Sequence, residues 1–497
     1  MTCATSPADG ARRWRPLLGL AVLALAACAS SGGLQPHVRM FAADRLQAGQ
    51  TLGNAGLSRP GWPASDWWRA LGDPALDVLI AEGLQHNPGL EAADARLRQA
   101  RAQIGAARAE RLPGLSASAG YNQVRLPASM VGEEFGGHFS GSLDAYLHFS
   151  YGVDLWGGKR AAWEAAVDSG HAAEVDARAA RLDLSAAIVS AYAQLGYAWQ
   201  LQDVAGEELA RAQKTLDLTR QRRRAGIDSD LQVRQAEARI PAAQQQRQAA
   251  RQQIDEARTA LAALLGQGPD RGLLVARPRV LSPLALQLPG VLPSDLLGRR
   301  PDIVAARWRV EAAARQIHVA KARFYPSLNL TALGGVVSSE ITRLLNSGST
   351  FALLGPALSL PIFDGGRLRA NLDQSDAQYD LAVAGYNQSL VDALREVADQ
   401  VSAVGSLGAQ AQAQARAVAT AQAAHDLAQL RYRAGVGSYL DVLEVEAQLL
   451  EARQRQVALQ SQQVLASVRL SQALGGGFPA ARSAATAIAS PYPRERP

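Results

Sequence analysis

Residues 142–159 read SLDAYLHFSYGVDLWGGK, and this stretch decides the fold. From Ser142 to Leu155 every second side chain is apolar and most of the others are polar, which is the period-two pattern of a β-strand with one apolar and one polar face. Gly157 and Gly158 then end the pattern. In a soluble protein such a strand is half-buried, whereas in an outer-membrane barrel it faces lipid on one side and water on the other.

The sequence around this strand predicts two β-hairpins, at 115–156 and 328–363. The predicted strands are Leu115–Val124, Ser142–Leu155, Leu328–Val336 and Leu354–Phe363. Pro356 and Pro361 cannot donate ladder hydrogen bonds, which weakens the pattern of the last strand. The strand length and the leader described below favour membrane strands over half-buried soluble ones.

A long helical segment follows each hairpin, at 159–224 and at 366–433. At about 1.5 Å per residue each would run roughly 100 Å, which is longer than a single globular core. Apolar residues there alternate at four and three positions, or recur every seven, as in coiled coils. The predicted return helices, 230–265 and 439–474, are much shorter. We therefore predict that each long helix pairs with two shorter helices stacked end to end.

The chain is predicted to be a duplicated unit of about 210 residues. Nine residues recur 213 positions later in the same order: Pro88, Ala92, Ala93, Gln103, Ile104, Ala107, Ala109, Pro113 and Leu115 match Pro301, Ala305, Ala306, Gln316, Ile317, Ala320, Ala322, Pro326 and Leu328. Gly157-Gly158-Lys159 likewise recurs as Gly365-Gly366-Arg367. These glycines are interpreted as tight turns from the barrel into the long helices, because the first run lacks the Ser or Thr of a phosphate loop.

The N-terminal residues resemble a bacterial lipoprotein signal. Arg12, Arg13 and Arg15 precede an apolar run, which ends at Leu25-Ala26-Ala27-Cys28. Cleavage before Cys28 would leave an acylated cysteine as the new N-terminus, and Ala29 after it implies sorting to the outer membrane. An uncleaved anchor is the alternative, but the run is short for a bilayer span. The covalent lipid on Cys28 is the only non-protein group expected, with no cofactor and no metal.

The predicted layout follows from these boundaries. It comprises a signal peptide at 1–27, a tether at 28–61, a first repeat at 62–266, a connection at 267–293, a second repeat at 294–475 and a flexible C-terminal tail at 476–497.

Composition and motifs argue against several function classes. Aromatic residues make up 5% of the chain, and the net charge of +6 includes three arginines of the leader, so nucleic-acid binding is not expected. The seven histidines are scattered without ligand spacing, and no nucleophile elbow is present. The protein is predicted not to be an enzyme.

Four strands cannot close a barrel, and open sheet edges are not tolerated in lipid. Three copies would supply 12 strands, an even number that bacterial barrels permit. The predicted fold class is therefore mainly α with a membrane β-barrel portion, to which each chain of a homotrimer contributes four strands.

An ordered set of motifs resembles the TolC-type outer-membrane factors, in particular the NodT-like lipoproteins of resistance-nodulation-division efflux systems. The motifs are Trp67-Trp68, Gly72-Asp73-Pro74, Asp154-Leu155-Trp156-Gly157-Gly158, Arg299-Arg300-Pro301-Asp302, Phe324-Tyr325-Pro326, Pro361-Ile362-Phe363-Asp364-Gly365-Gly366 and Tyr432-Arg433-Ala434-Gly435. The resemblance implies a trimer with a barrel in the outer membrane and an α-barrel tunnel of long helices in the periplasm. Its implied partners are a periplasmic adaptor, or membrane fusion protein, and an inner-membrane resistance-nodulation-division transporter.

The resemblance also implies a periplasmic gate. Asp441 and Glu444 match the acidic residues that narrow the inner end of the tunnel in this family, and Tyr432 matches an aromatic residue that helps hold that end closed. The arginine usually grouped with this aromatic falls at Gly437. Asp441 has an alternative role from its position alone, because Ser438-Tyr439-Leu440-Asp441 fits a helix capping box.

Several functions remain open at this point. A surface-binding lipoprotein and a soluble helical scaffold are the rivals to a passive channel. Within the channel class, the outlet of a type I protein-secretion system competes with the outer duct of an efflux pump for drugs or other small solutes. The leader and the Trp67-Trp68 region favour efflux, while the exported compound is not encoded in a recognisable motif.

Overall fold

The computed structural model of the chain describes residues 33–42, 46, 62–284 and 298–479. The predicted signal peptide and Cys28 lie outside these residues. Most of the predicted tether, the end of the connection and the C-terminal tail beyond 479 also lie outside them. Phe478, in the described start of that tail, is buried.

A helix, two strands, a long helix and a return helix follow one another in the same order in both halves of the chain, and the first half has three further α-helices among the described residues. They are α1 Ala75–His86, α2 Pro88–Ala109, β1 Gly114–Arg125, α3 Ala128–Val131, β2 Phe139–Val153, α4 Gly158–Arg224, α5 Asp230–Leu264, α6 Pro269–Leu273, α7 Pro301–Ala322, β3 Ser327–Ser338, β4 Thr350–Ser359, α8 Arg367–Arg433 and α9 Tyr439–Ala473. Among the described helices, none is both long and apolar enough to cross a membrane.

The two halves match in helix length. The long helices α4 and α8 have 67 residues each, α5 and α9 have 35 each, and α2 and α7 have 22 each. The observed ends of the long and return helices differ from the predicted ones by at most one residue. The duplication seen in the sequence is therefore also a duplication of structure.

Asn87 joins two of the shorter helices of the first repeat. It caps α2, since its Oδ1 accepts the backbone N–H of Gly89 at 2.8 Å. Its Nδ2 donates to the carbonyl of Leu264, the last residue of α5, at 2.8 Å. In the second repeat Arg300 has this position before α7, and its Nη1 donates to the carbonyl of Ala473 at the end of α9 at 3.1 Å. The shorter helices thus adjoin end to end in each repeat.

Glycine is required just after both return helices. Gly266 and Gly475 have φ angles of +72° and +96°, in the left-handed region. A Cβ at Gly266 would lie 2.1 Å from the carbonyl oxygen of His86, and one at Gly475 would lie 2.2 Å from that of Arg299. The lack of a side chain at Gly266 and Gly475 therefore allows the end of each return helix to approach the backbone just before α2 and α7.

The four strands form one antiparallel sheet in the order β1-β2-β3-β4. Because directly paired residues share a face, the register separates two faces. One is apolar and includes Leu115, Ala117, Leu147, Phe149, Ala332, Val336, Leu354 and Leu358. The other face is mostly polar on β1 and β2, where it includes Ser116, Ser118, Asn122, Asp144 and His148. On β3 and β4 it carries Asn329 and Thr331 but also the apolar Leu333, Val337, Phe351 and Leu353. The alternation predicted for Ser142–Leu155 is confirmed, because its successive side chains lie on the two opposite faces.

Pro356 lies inside β4, where it pairs with Leu330. Within the described residues β4 is an edge of the sheet, so one row of its backbone groups has no neighbour to bond with. An edge is where a strand tolerates proline. Pro361 lies beyond the strand, which ends at Ser359, four residues before the predicted end.

Contacts divide the chain into two compact units. Among the described residues, one unit contains the sheet and comprises 33–40, 97–173 and 306–386. The other comprises 41–42, 46, 62–96, 174–284, 298–305 and 387–479. In the first, Ile317, Phe324, Leu368 and Leu372 form a buried cluster against which Leu34 packs. The backbone N–H groups of His37 and Val38 donate to the carboxylate of Asp380 on α8 at 3.0 and 2.9 Å. This start of the predicted tether is therefore fixed to α8.

In the second unit, Asp73 connects three separate segments. Its Oδ2 accepts the Tyr192 hydroxyl of α4 at 2.7 Å and the backbone N–H of Arg279 at 3.1 Å, while Oδ1 accepts the N–H of Ala75 at 3.1 Å. Burial acts to raise the pKa of Asp73, but these hydrogen bonds outweigh it, so the pKa is lowered from its ordinary value. An ionised Asp73 thus holds α1 and the inter-repeat connection against α4.

Candidate functional site

The predicted turn glycines lie between strand and helix. Gly157 has a φ of +72°, and Gly158, the first residue of α4, approaches Ala322 so closely that a Cβ would lie 2.8 Å from its side chain. Gly365 and Gly366 lie between β4 and α8, with φ values of +65° and +88°. All four residues are therefore in the strand-to-helix turns, where a left-handed backbone or a close approach excludes larger residues.

An aspartate caps each long helix at these turns. The Asp154 carboxylate accepts the backbone N–H groups of Lys159 and Arg160 at 3.1 and 2.8 Å. Asp364 accepts those of Gly366 and Leu368 at 3.0 and 2.8 Å. A carboxylate at a helix N-terminus satisfies free donors and interacts favourably with the helix dipole.

The remaining predicted site residues lie near the opposite ends of the long helices. There α4 turns back into α5 around Gly226, and α8 turns back into α9 around Gly435, with φ angles of +77° and +76°. Each return helix begins with a capping box, formed by Ser229 with Gln232 and by Ser438 with Asp441. The two turns are thus built alike.

Asp441 is engaged in the second capping box. Its Oδ2 accepts the backbone N–H of Ser438 at 3.1 Å, and its own N–H donates to Ser438 Oγ at 3.2 Å. The capping role that the sequence offered for Asp441 is confirmed, and its exposed side chain leaves the gate role open. Glu444 is exposed one turn further along α9 and makes no hydrogen bond or ion pair among the described residues. The cap therefore does not use Glu444.

Tyr432 is 1% exposed and joins the second turn to the first. Its hydroxyl donates to Asp228 in the first turn and lies 3.3 Å from Thr219 Oγ1 of α4. Burial, together with the Asp228 carboxylate, raises the pKa of the Tyr432 hydroxyl, so it remains protonated and able to donate at neutral pH. This contact connects residues 204 positions apart.

Arg222 of α4 completes the contact. Its Nε pairs with Asp228 Oδ2 at 3.0 Å, its Nη1 donates to the carbonyl of Tyr432 at 2.6 Å, and its guanidinium lies 4.2 Å from the centre of the Tyr432 ring. The resemblance placed the usual arginine at Gly437, and the sequence reasoning did not identify Arg222, Asp228 or Thr219. Alignment of the two repeats offers one signal, because Asp228 stands where the second repeat has Gly437.

Within 33–42, 46, 62–284 and 298–479, no group of three or more His, Cys, Asp or Glu side chains is arranged to hold a metal ion. The two helix turns are joined by the hydrogen bonds of Tyr432, Arg222, Asp228 and Thr219, which we call the clasp. The exposed carboxylates of Asp441 and Glu444 lie on the return helix that follows Tyr432.

A family model described as outer membrane efflux protein matches residues 79–267 and 292–476, which cover both repeats. The chain belongs to the outer membrane efflux protein family. The predicted resemblance is thereby confirmed, and so is the expected function as an outer-membrane component of efflux.

Relatives of this outer membrane efflux protein support the same assignment. Fusaric acid resistance protein FusA of Burkholderia cepacia is 41% identical over 374 residues, covering 72% of this chain and 69% of FusA. The solvent efflux pump outer membrane protein SrpC of Pseudomonas putida is 36% identical over 413 residues, covering 82% of this chain and 86% of SrpC.

The structure resembles that of a solved family member. The outer membrane protein VceC of Vibrio cholerae superposes with a TM-score of 0.78 at 37% identity, covering 84% of this chain and all of VceC. The predicted fold class, mainly α with a membrane β-barrel portion, is confirmed by this likeness.

The clasp gives a testable difference between two buried tyrosines. Tyr432→Phe removes the hydroxyl that donates to Asp228. We expect the free energy of local unfolding of the two turns to fall by about 1.5–3 kcal/mol, the range for a hydrogen bond to a charged group. Hydrogen exchange of amides 222–233 should then accelerate about tenfold or more. Tyr439→Phe is the matched control, because the Tyr439 hydroxyl is buried without a hydrogen-bond partner among the described residues. Equal acceleration in both variants would contradict the clasp.

Proposed function

We propose that the chain is one protomer of a homotrimeric channel that conducts small solutes passively across the outer membrane. The observation that carries the proposal is the sheet, which has a continuous apolar face and, among the described residues, unpaired edges at β1 and β4. A bilayer favours the apolar face but does not tolerate the edges. Pairing β4 of one copy with β1 of the next removes the edges and closes a barrel of 12 strands.

The partners follow from the family. A periplasmic adaptor would contact the helical end of the trimer, and an inner-membrane resistance-nodulation-division transporter would supply the energy, so the duct itself needs no catalysis and no cofactor. The names of FusA and SrpC associate those proteins with fusaric acid and with solvents. We infer that the cargo of this chain is likewise a small organic molecule.

The acidic residues of the second turn are proposed to form the gate. If three chains meet at this end, three copies of Asp441 and Glu444 crowd one opening, where low-dielectric walls focus their field. Exposure of both side chains supports this, and so does the absence of any described partner for Glu444. The clasp between Tyr432, Arg222 and Asp228 would hold the opening narrow.

The trimer and its pore can be tested together. Protein extracted in detergent should have a native mass of three chains, and in planar bilayers it should give discrete single-channel currents. A stable monomer or dimer would remove the barrel-closure argument, whereas a trimer without conductance in any condition would contradict the channel but not the assembly.

The gate can be tested by neutralising its carboxylates. Glu444→Gln, and more strongly the double variant with Asp441→Asn, should shift the reversal potential in a salt gradient toward lower cation selectivity, because the focused negative potential weakens. Glu451→Gln is the matched control, since it removes an exposed charge from the same helix two turns away. An unchanged reversal potential in the double variant would contradict the gate. If Asp441→Asn mainly lowers the melting temperature, its role is capping alone.

The lipid anchor is a further part of the proposal, supported by Leu25-Ala26-Ala27-Cys28. Mass spectrometry of the mature N-terminus should find a diacylglyceryl cysteine at residue 28. Cys28→Ala should weaken membrane attachment more than trimer assembly, because a closed barrel inserts independently of the lipid. A mature chain that starts upstream of Cys28 without lipid would overturn the assignment.

A further inference from the structure

Glu446 is a completely buried acidic residue within the helical unit. Its exposed fraction is 0%, and neither carboxylate oxygen has a hydrogen-bond partner among the described residues. The nearest cation is Arg239 of α5, whose Nη1 lies 3.6 Å from Oε2, beyond hydrogen-bond distance. Glu446 therefore has one long ion-pair contact but lacks the hydrogen bonds that a buried carboxylate normally has.

Charged groups from each neighbouring helix face Glu446. Glu208 and Arg211 come from α4, Arg239 from α5 and His425 from α8. Glu208 is itself 3% exposed and already engages both arginines, at 3.0 Å to Arg211 and 3.5 Å to Arg239. The two cations are thus shared with a second buried carboxylate.

His425 offers no hydrogen bond in return. Its ring is 4% exposed, and its Nδ1 lies 3.3 Å from Asp426, while its buried Nε2 has no partner in the described part of the chain. On its own helix α9, Glu446 interacts with the buried Tyr439 seven residues earlier. These groups complete the titratable surroundings of Glu446.

The equivalent residue of the first repeat has the opposite environment. Glu237 of α5 is partly exposed and pairs with Arg220 at 2.9 Å and with Arg234 at 3.1 Å. These pairs lower the pKa of Glu237 from its ordinary value. The same residue type at the same repeat position is thus partly exposed and hydrogen-bonded in one case, and buried without a hydrogen bond in the other.

Physical chemistry favours the neutral form of Glu446. Transfer of an ionised carboxylate out of water costs several kcal/mol unless hydrogen bonds and an ion partner replace its hydration. Burial and the like charge of Glu208 raise the pKa of Glu446, against the smaller opposing effects of Arg239, His425 and Arg211. The neutral acid avoids that cost.

We propose that Glu446 is a proton-binding site of the helical unit, which holds a proton while α4, α5, α8 and α9 are packed and releases it when they separate enough to admit water. A proton bound only in the packed state stabilises that state. This contribution to stability is fully present at a pH below the ordinary carboxylate pKa. It is lost as the pH rises through the higher pKa that Glu446 has in the packed state. A rise in pH through the raised pKa of Glu446 therefore loosens the packing near the two turns, whether or not the turns form a gate.

The proton can be observed directly by infrared spectroscopy. Purified wild-type protein should show a protonated carboxyl band that disappears at a higher pH than the bands of ordinary, exposed carboxyl groups. Glu446→Gln should remove one such carboxyl equivalent per chain from this pH-difference spectrum. Glu237→Gln, the matched control in the first repeat, should leave the band in place, because Glu237 is ionised by its two arginines.

Two measurements keep the proposal falsifiable if Glu446→Gln assembles poorly. Arg239→Gln removes the nearest cation, so the band should persist to higher pH than in wild type. In folded Glu446→Gln, the fall of the thermal midpoint from mildly acidic to alkaline pH should be smaller than in wild type. An identical pH-difference spectrum in wild type and Glu446→Gln, or no shift of the band in Arg239→Gln, would overturn the proposal.

Discussion

The backbone groups along the outer edges of β1 and β4 constrain the rest of the molecule. Among the described residues each of these strands pairs on one side only, and the sheet between them presents a continuous apolar face. Water can hydrogen-bond to the free backbone groups of a strand edge, but exposure of an apolar face to water is unfavourable. Lipid tails favour the apolar face but cannot hydrogen-bond to the strand edge. The strand edges and the apolar face therefore favour opposite surroundings, and this conflict is the constraint that any environment of the sheet has to meet.

Duplication produced two similar turns, and the differences between them carry the specific chemistry. The first turn contributes Arg222 and Asp228, while the second contributes Tyr432 and the exposed acids. Glu237 and Glu446 differ in the same way, one solvated and one buried. The backbone geometry of the two turns stays alike because the helix caps and the left-handed glycines recur in both repeats. The other side chains of each turn can therefore differ and have separate roles.

The sequence predicted elements whose signals are local. Ser438 marks a helix cap, and the coiled-coil spacing marks the long and return helices, whose ends were predicted to within one residue. Alternating residues mark the strands, but β4 lies four residues earlier than predicted. Contacts over long separations were not predicted, because nothing in the segment around Arg222 indicates that Tyr432 lies against it. The burial of Glu446 was missed for a related reason. Its heptad neighbours predict a coiled-coil seam, but not which charged residue the other helices enclose.

The equal lengths of paired helices restrict how such a protein can change over evolutionary time. One residue inserted into a helix turns everything beyond it by about 100°. In α4 or α8, both 67 residues long, this would move one set of clasp residues away from the other. Insertions and deletions are therefore expected to be inherited in matched pairs, or as whole heptads. Alignments of relatives should show gaps at corresponding places in the two repeats, leaving a record of their coupled history.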